Sequence, residues 1–170
     1  MWPDCHHAVK TYVDYCRALL RKPNAVGYVE QRWYWDLRLW GTADFVCVSQ
    51  GPRNSLQTID VVDLKGGRGV KVEASSPQMG LYGLMVQKTL ELYDHSIITH
   101  VVQPRYRKGH IDTYEYDEGE LDELKDWALA AMKSKVISPS ATACLWCPVK
   151  YSCAERLNAD MASELVDLDA

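Results

Sequence analysis

The chain has 170 residues, 47% of them hydrophobic, enough for one domain with a sizeable core. Nineteen Lys and Arg against 23 Asp and Glu leave a net charge of −4, which excludes a protein that coats duplex DNA through bulk positive charge. No apolar run approaches the roughly 20 residues of a membrane span, and Met1-Trp2-Pro3-Asp4 does not open a signal peptide, so we expect a soluble, cytoplasmic chain with no membrane partner.

Val9, Tyr12, Val13, Cys16, Leu19 and Leu20 recur at helical spacing and predict an amphipathic helix over residues 8–21, ended by Pro23-Asn24. Residues 26–40 are rich in aromatic and β-branched side chains. Trp33, Trp35, Leu37 and Leu39 share one face of a period-2 pattern there, which predicts a strand or hairpin arm. A second strand is expected over 43–49, a turn over 50–55 and a third strand over 58–64. Gly66-Gly67-Arg68-Gly69 lacks the Gly-Lys-Ser/Thr ending of a phosphate loop and reads as a hairpin turn before a short strand over 70–74.

Pro77 suits the first turn of a helix running to about Tyr93. A strand follows over 97–103, ended by Pro104, with an edge partner over 111–116. The basic run from Arg105 to His110 reads as a solvated turn. Leu121, Leu124, Ala128 and Ala131 fall on one face of a helix over 120–133. A cysteine segment over 138–157 and an acidic tail over 158–170 complete a single α/β domain with a core over 8–134.

Asp44, in Gly41-Thr42-Ala43-Asp44, and Asp63, in the run Ile59 to Lys65, fall at the ends of neighbouring strands. Phosphodiester hydrolysis needs a divalent ion on the non-bridging oxygen, a nucleophilic water, and a cation to steady water and developing charge. Asp44 and Asp63 supply hard oxygen ligands suited to Mg²⁺ or Mn²⁺. The strand period puts Asp63 and Lys65 on one face and turns Leu64 to the core, which leaves the Leu64 backbone carbonyl as a further candidate ligand. Gln78 and Tyr82, four apart on a helix, point to one face and would bind a phosphate or position the strand. Glu30 is another candidate for this wall. An Asp-x-Lys triplet alone is as readily a surface salt bridge; the whole set points to a nuclease.

Residues 41–44, 59–65 and 78–82 resemble the PD-(D/E)XK superfamily, specifically its RecB-like exonucleases. Phage-encoded members, CRISPR-associated RecB-like nucleases and the nuclease domain of AddB-type recombination proteins are similar in character. The resemblance implies a restriction-endonuclease-like core, a central mixed sheet flanked by helices, dependence on Mg²⁺ or Mn²⁺, and cleavage of DNA, commonly from linear ends or along a single strand. By position Asp44 resembles the first metal-binding acid, Asp63 the second and Lys65 the catalytic lysine, and Gln78 with Tyr82 resembles the family's Gln-x-x-x-Tyr motif. Such members usually carry a metal-binding His in a helix well upstream. Here about 40 residues precede Asp44, and His6 and His7 are the candidates, with His7 preferred; a missing histidine helix would weaken metal binding.

Six cysteines are present, and Cys144-x2-Cys147-x5-Cys153 has metal-ligand spacing. Such a tripod suits a soft metal or cluster. It is similar to the cysteine segment of RecB-like nucleases that carry a 4Fe-4S cluster, one cysteine before the core and three after it. That resemblance makes Cys5 the fourth ligand, with Cys16 as substitute and Zn²⁺ as the rival ion. Cys47, mid-strand, reads as a small core residue.

Trp33, Trp35 and Trp40 precede the presumed active strand, where an unpaired base could stack, although an alternating aromatic face more often packs against a helix. The leading expectation is a metal-dependent DNA exonuclease in viral or recombination-related processing. A catalytically defective DNA-binding module of the same fold and a structure-specific endonuclease are the alternatives. Oligomeric state stays open.

Overall fold

The first helix, α1, runs from Pro3 to Leu19 in a computed structural model that describes residues 3–50, 57–67, 70–93, 95–106, 109–145 and 147–159. Its apolar stripe buries Cys16 and Leu19 against Phe45, Cys47, Val62 and Val102 of the sheet. The strands are β1, Val26–Tyr34, β2, Trp40–Gln50, β3, Gln57–Leu64, β4, His95–Gln103, and β5, His110–Tyr116. They lie in one sheet in chain order. All neighbours are antiparallel except β3 and β4. A parallel pair needs a crossover, and helix α2, Pro77–Leu90, supplies it.

Helix α2 covers the face opposite α1. Its Met79, Leu84, Met85 and Val86 join Ile59, Val61, Ile97 and Val101 in the larger core. The middle of β3 is a nearly unbroken buried run because both faces of the strand are covered. The helix approaches closely at Gly83, where an added Cβ would lie 2.4 Å from Ile97 Cγ2. Helix α3, Glu118–Lys133, packs Leu121 and Leu124 onto the same core. The expected mixed sheet flanked by helices is therefore present.

Alternation in the first two strands is broken at one place. Glu30 has a φ of 49°, and the ladder skips the position where it would face Asp44, pairing Val29 with Phe45 and then Gln31 with Ala43. In consequence Tyr28 and Trp33, five residues apart, share one face and meet edge to face at 5.2 Å. Ala43 and Val46, three apart, likewise join the same core. Asp44 sits at the step between the two phases, where one residue on each strand is skipped and the register is kept.

Three local expectations are corrected. Residues 35–39 form a bend between β1 and β2, so the proposed Trp33-Trp35-Leu37-Leu39 face does not continue and Leu37 is 92% exposed. The Asp36 carboxylate accepts the Arg38 and Leu39 N–H groups at 2.7 and 3.0 Å, and this local bonding replaces strand pairing. Residues 70–74 are not a strand, so no hairpin follows β3. There the buried Gln103 side chain takes the place of a ladder, donating to the Val70 carbonyl at 3.0 Å and accepting the Val72 N–H at 2.9 Å. The helix expected to reach Tyr93 stops at Leu90, where Glu91 turns left-handed at φ 53°. Residues 51–56, 68–69 and the tail beyond 159 lie outside the described residues.

The chain falls into two compact units, Met1–Met132 and Lys133–Ala170. The second contains the short helix α4, Ala141–Cys144, begun by Ser140, whose Oγ accepts the Ala143 N–H at 3.0 Å. Residues 154–159 are also helical. No helix among the described residues is long and apolar enough to cross a membrane.

Candidate active site

The antiparallel ladder between β2 and β3 sets Phe45 opposite Val62, and the next step brings Asp44 to the level of Asp63. There the Leu64 N–H donates to Asp44 Oδ2 at 2.8 Å. Sheet pairing thus passes from backbone to side chain where the first acid stands. Asp63 is buried, and its Oδ2 lies 2.9 Å from Lys65 Nζ. That approach is an ion pair, and among the described residues Oδ2 accepts no hydrogen bond from a well-directed donor. Burial raises the Asp63 carboxyl above its ordinary value, and the Asp44 charge adds to this against the opposing effect of Lys65.

The helical pair also forms. Gln78 Nε2 donates to Tyr82 Oη at 2.8 Å, as their spacing requires. The Tyr82 ring lies over Gly41, where an added Cβ would meet Cε1 at 2.4 Å. Gly41 therefore admits the ring against β2, three residues before Asp44.

A donor set of two carboxylates, one with a buried oxygen lacking a directed donor, fits a hard divalent cation. Among the described residues no group of three His, Cys, Asp or Glu is gathered at metal distance. His7 is exposed on α1, where its carbonyl accepts the Thr11 hydroxyl, and it does not complete a triad with Asp44 and Asp63. The thiols of Cys144, Cys147 and Cys153 are partly buried, and Cys5 is exposed. Cys144 and Cys147 share a turn through the Cys147 N–H bond to the Cys144 carbonyl at 3.2 Å. Cys16 and Cys47 are buried in the smaller core, and burial pushes each thiol up to about 11, as expected of inert core cysteines.

Two groups escaped the sequence reading. Tyr12 was counted only as part of an apolar stripe, yet its Oη is buried without a hydrogen-bond partner among the described residues. Burial pushes the phenol upward, and Cys16, Asp44 and Asp63 push the same way. The Tyr12 hydroxyl is therefore within electrostatic reach of both acids. Asp60, fully buried, is held by Lys22 Nζ at 2.7 Å and by His100 Nε2 at 2.9 Å. His100 Nδ1 in turn lies 2.9 Å from Tyr15 Oη. A charged residue inside the apolar run of β3 was the available signal.

Two hollows lie elsewhere. One of about 740 Å³ is lined by Trp35, Lys88, Glu91, His95 and Glu118, and one of about 330 Å³ in the second unit by Ser140, Cys144, Lys150 and Arg156. Neither includes Asp44, Asp63 or Lys65, so the candidate site is the strand ends themselves.

The sequence profile of a family described as "protein of unknown function (DUF2800)" matches residues 3–170. The chain belongs to the DUF2800 family. Among curated proteins none matches this DUF2800 member. It is similar to the crystal structure of SSO0001, with 15% identity and a TM-score of 0.43, over 91% of this chain and 72% of that one. It is also similar to the structure of a candidate exonuclease from Eubacterium rectale, with 7% identity and a TM-score of 0.44, over 85% of this chain and 65% of that one. At such values neither likeness bears on chemistry, and the DUF2800 member's own residues carry the functional argument.

Proposed function

We propose that this DUF2800 member hydrolyses phosphodiester bonds in DNA, using a divalent cation held by Asp44 and Asp63. The observation that carries the reading is the buried Asp63 carboxylate, whose Oδ2 has no directed donor, placed beside Asp44 and 2.9 Å from Lys65 Nζ. Removing a carboxylate from water without full hydrogen bonding is costly, and a cation would compensate that cost. Mg²⁺ or Mn²⁺, when bound, supplies Lewis acidity toward a phosphoryl oxygen. Asp44 Oδ2 is tied to the Leu64 N–H, so Oδ1 is the oxygen it presents, with the Leu64 carbonyl as a third proposed ligand. Lys65, tethered by Asp63, orients the attacking water and offsets developing negative charge. Gln78 and Tyr82 position the strand from the α2 side.

The RecB-like resemblance extends this to an exonuclease acting on linear ends. The test is degradation of end-labelled linear DNA beside closed circular DNA with Mg²⁺ or Mn²⁺, and Lys65→Ala as control. Loss of the linear substrate alone, abolished in the variant, is expected; cutting of circles would make the chain an endonuclease. That no third His, Cys, Asp or Glu joins the acid pair among the described residues favours a second reading, a DNA-binding module with weak metal affinity. No turnover by metal-loaded protein would select it.

We further propose, from the resemblance of the cysteine segment to that of RecB-like nucleases, that Cys144, Cys147 and Cys153 hold a 4Fe-4S cluster, with Cys5 as the fourth thiolate that resemblance implies. Iron and acid-labile sulfide in anaerobically purified protein are expected, and zinc without sulfide would replace the cluster with a structural zinc site.

A further inference from the structure

The tryptophans of the first hairpin divide sharply. Trp33 is 2% exposed in the core, whereas Trp40, the first residue of β2, is 50% exposed. Arg32 reaches across from β1, diagonal to Trp40 in the ladder, and its Cζ lies 4.4 Å from the indole centroid. Nearby Arg38 pairs with Asp36 at 3.5 Å, but among the described residues no carboxylate pairs with Arg32. In a chain of net charge −4, an unpaired guanidinium stacked on a half-open indole is a site for an anion and a flat ring together. Trp40 adjoins Gly41, the glycine covered by Tyr82, and stands four residues before Asp44, roughly 13 Å along a strand.

We propose that Arg32 and Trp40 form a stacking platform for an unpaired base and its phosphate, and that the substrate of this site is single-stranded DNA. Paired bases inside a duplex have no free face to offer an indole, whereas every unpaired base has one. The guanidinium, held flat by the ring, has N–H groups in the fork geometry that suits a phosphate. The inference rests on the nuclease reading for the direction of the strand, from platform to acid pair, and not for its own binding energy.

The experiment is fluorescence anisotropy of labelled oligodeoxythymidylate, and of a blunt duplex of equal length, titrated with full-length protein in chelator so that no turnover intervenes. Trp40→Ala is expected to weaken single-strand binding roughly tenfold while leaving the weaker duplex binding unchanged. Trp40→Phe, which keeps a ring, should restore most of it and guards against a folding artefact. Arg32→Gln should reduce the slope of log affinity against log salt by about 0.7. Unchanged single-strand binding in Trp40→Ala, or an equal loss for duplex, overturns the platform. Binding that depends on Trp40 in a protein without hydrolysis would retain the platform and reject the nuclease; hydrolysis without dependence on Trp40 would do the reverse.

Discussion

Asp44 Oδ2 accepts the Leu64 N–H at 2.8 Å, so the first acid closes the last backbone position of the strand that bears the second. The proposed metal site and the local fold therefore draw on the same carboxylate. Asp44→Ala should lose about 1.5–3 kcal/mol, the range for a hydrogen bond to a charged group. Asp44→Asn, which can still accept that bond, should lose less and yet show no stabilisation by Mg²⁺. Urea unfolding with and without Mg²⁺ checks both; equal stability of the Ala variant and the wild type would contradict the bond's role.

Lys65 is about a third exposed, so Lys65→Ala should still fold, with some loss of stability from the buried Asp63 carboxylate it leaves without its cation. Hydrolysis is expected to fall by about 100-fold or more, the scale on which transition-state charge stabilisation acts. Single-turnover cleavage of labelled linear DNA measures it, and a rate near wild type would remove Lys65 from the chemistry.

The Asp63 carboxyl is raised above its ordinary value of 3.8, chiefly by burial. Its contribution to stability is complete below that value and is lost as pH rises through the raised folded value, because the folded state then holds a charge it solvates poorly. Metal-free Asp63→Asn should therefore be more stable than wild type near about pH 7, and the gain should vanish in acid. Urea midpoints across that range give the sign directly, and a gain that grows in acid would contradict it.

The sequence exposed the acid pair because hydrophobic runs ending in Asp are sparse signals with strict spacing. Gln78 and Tyr82 were legible for the same reason, one helical turn apart and now hydrogen-bonded. The segment over 70–74 was misread because a side chain, Gln103, and not a neighbouring strand satisfies its backbone, and periodicity carries no record of partners 31 and 33 residues away. Tyr12 was legible as an apolar residue but not as a buried hydroxyl coupled to the charges of Asp44 and Asp63, since its ring satisfies the stripe whichever way the oxygen points.

The Lys22–Asp60–His100 cluster anchors the end of α1 to the sheet. Lys22→Met leaves a fully buried carboxylate short of its cation and should cost about 3 kcal/mol, the low end for breaking a buried pair because Lys22 keeps some exposure. The double variant Lys22→Met with Asp60→Leu should recover most of that loss, since the uncompensated charge is gone. Denaturant unfolding of the three proteins decides it; a double variant as unstable as the single one would place the cost in packing.

The left-handed turn at Glu30 has an effect on β1 as a whole. This strand is one of the sheet's two borders, and it exposes Val26, Val29 and Tyr34. A straight apolar border of that kind templates strand addition by other chains and so aggregation. The reversal of phase at Glu30 divides β1 into two short lengths that present different faces. A regular foreign strand whose side chains alternate in phase with one half is out of phase with the other, so the distortion beside Asp44 makes this border a poorer template for strand addition.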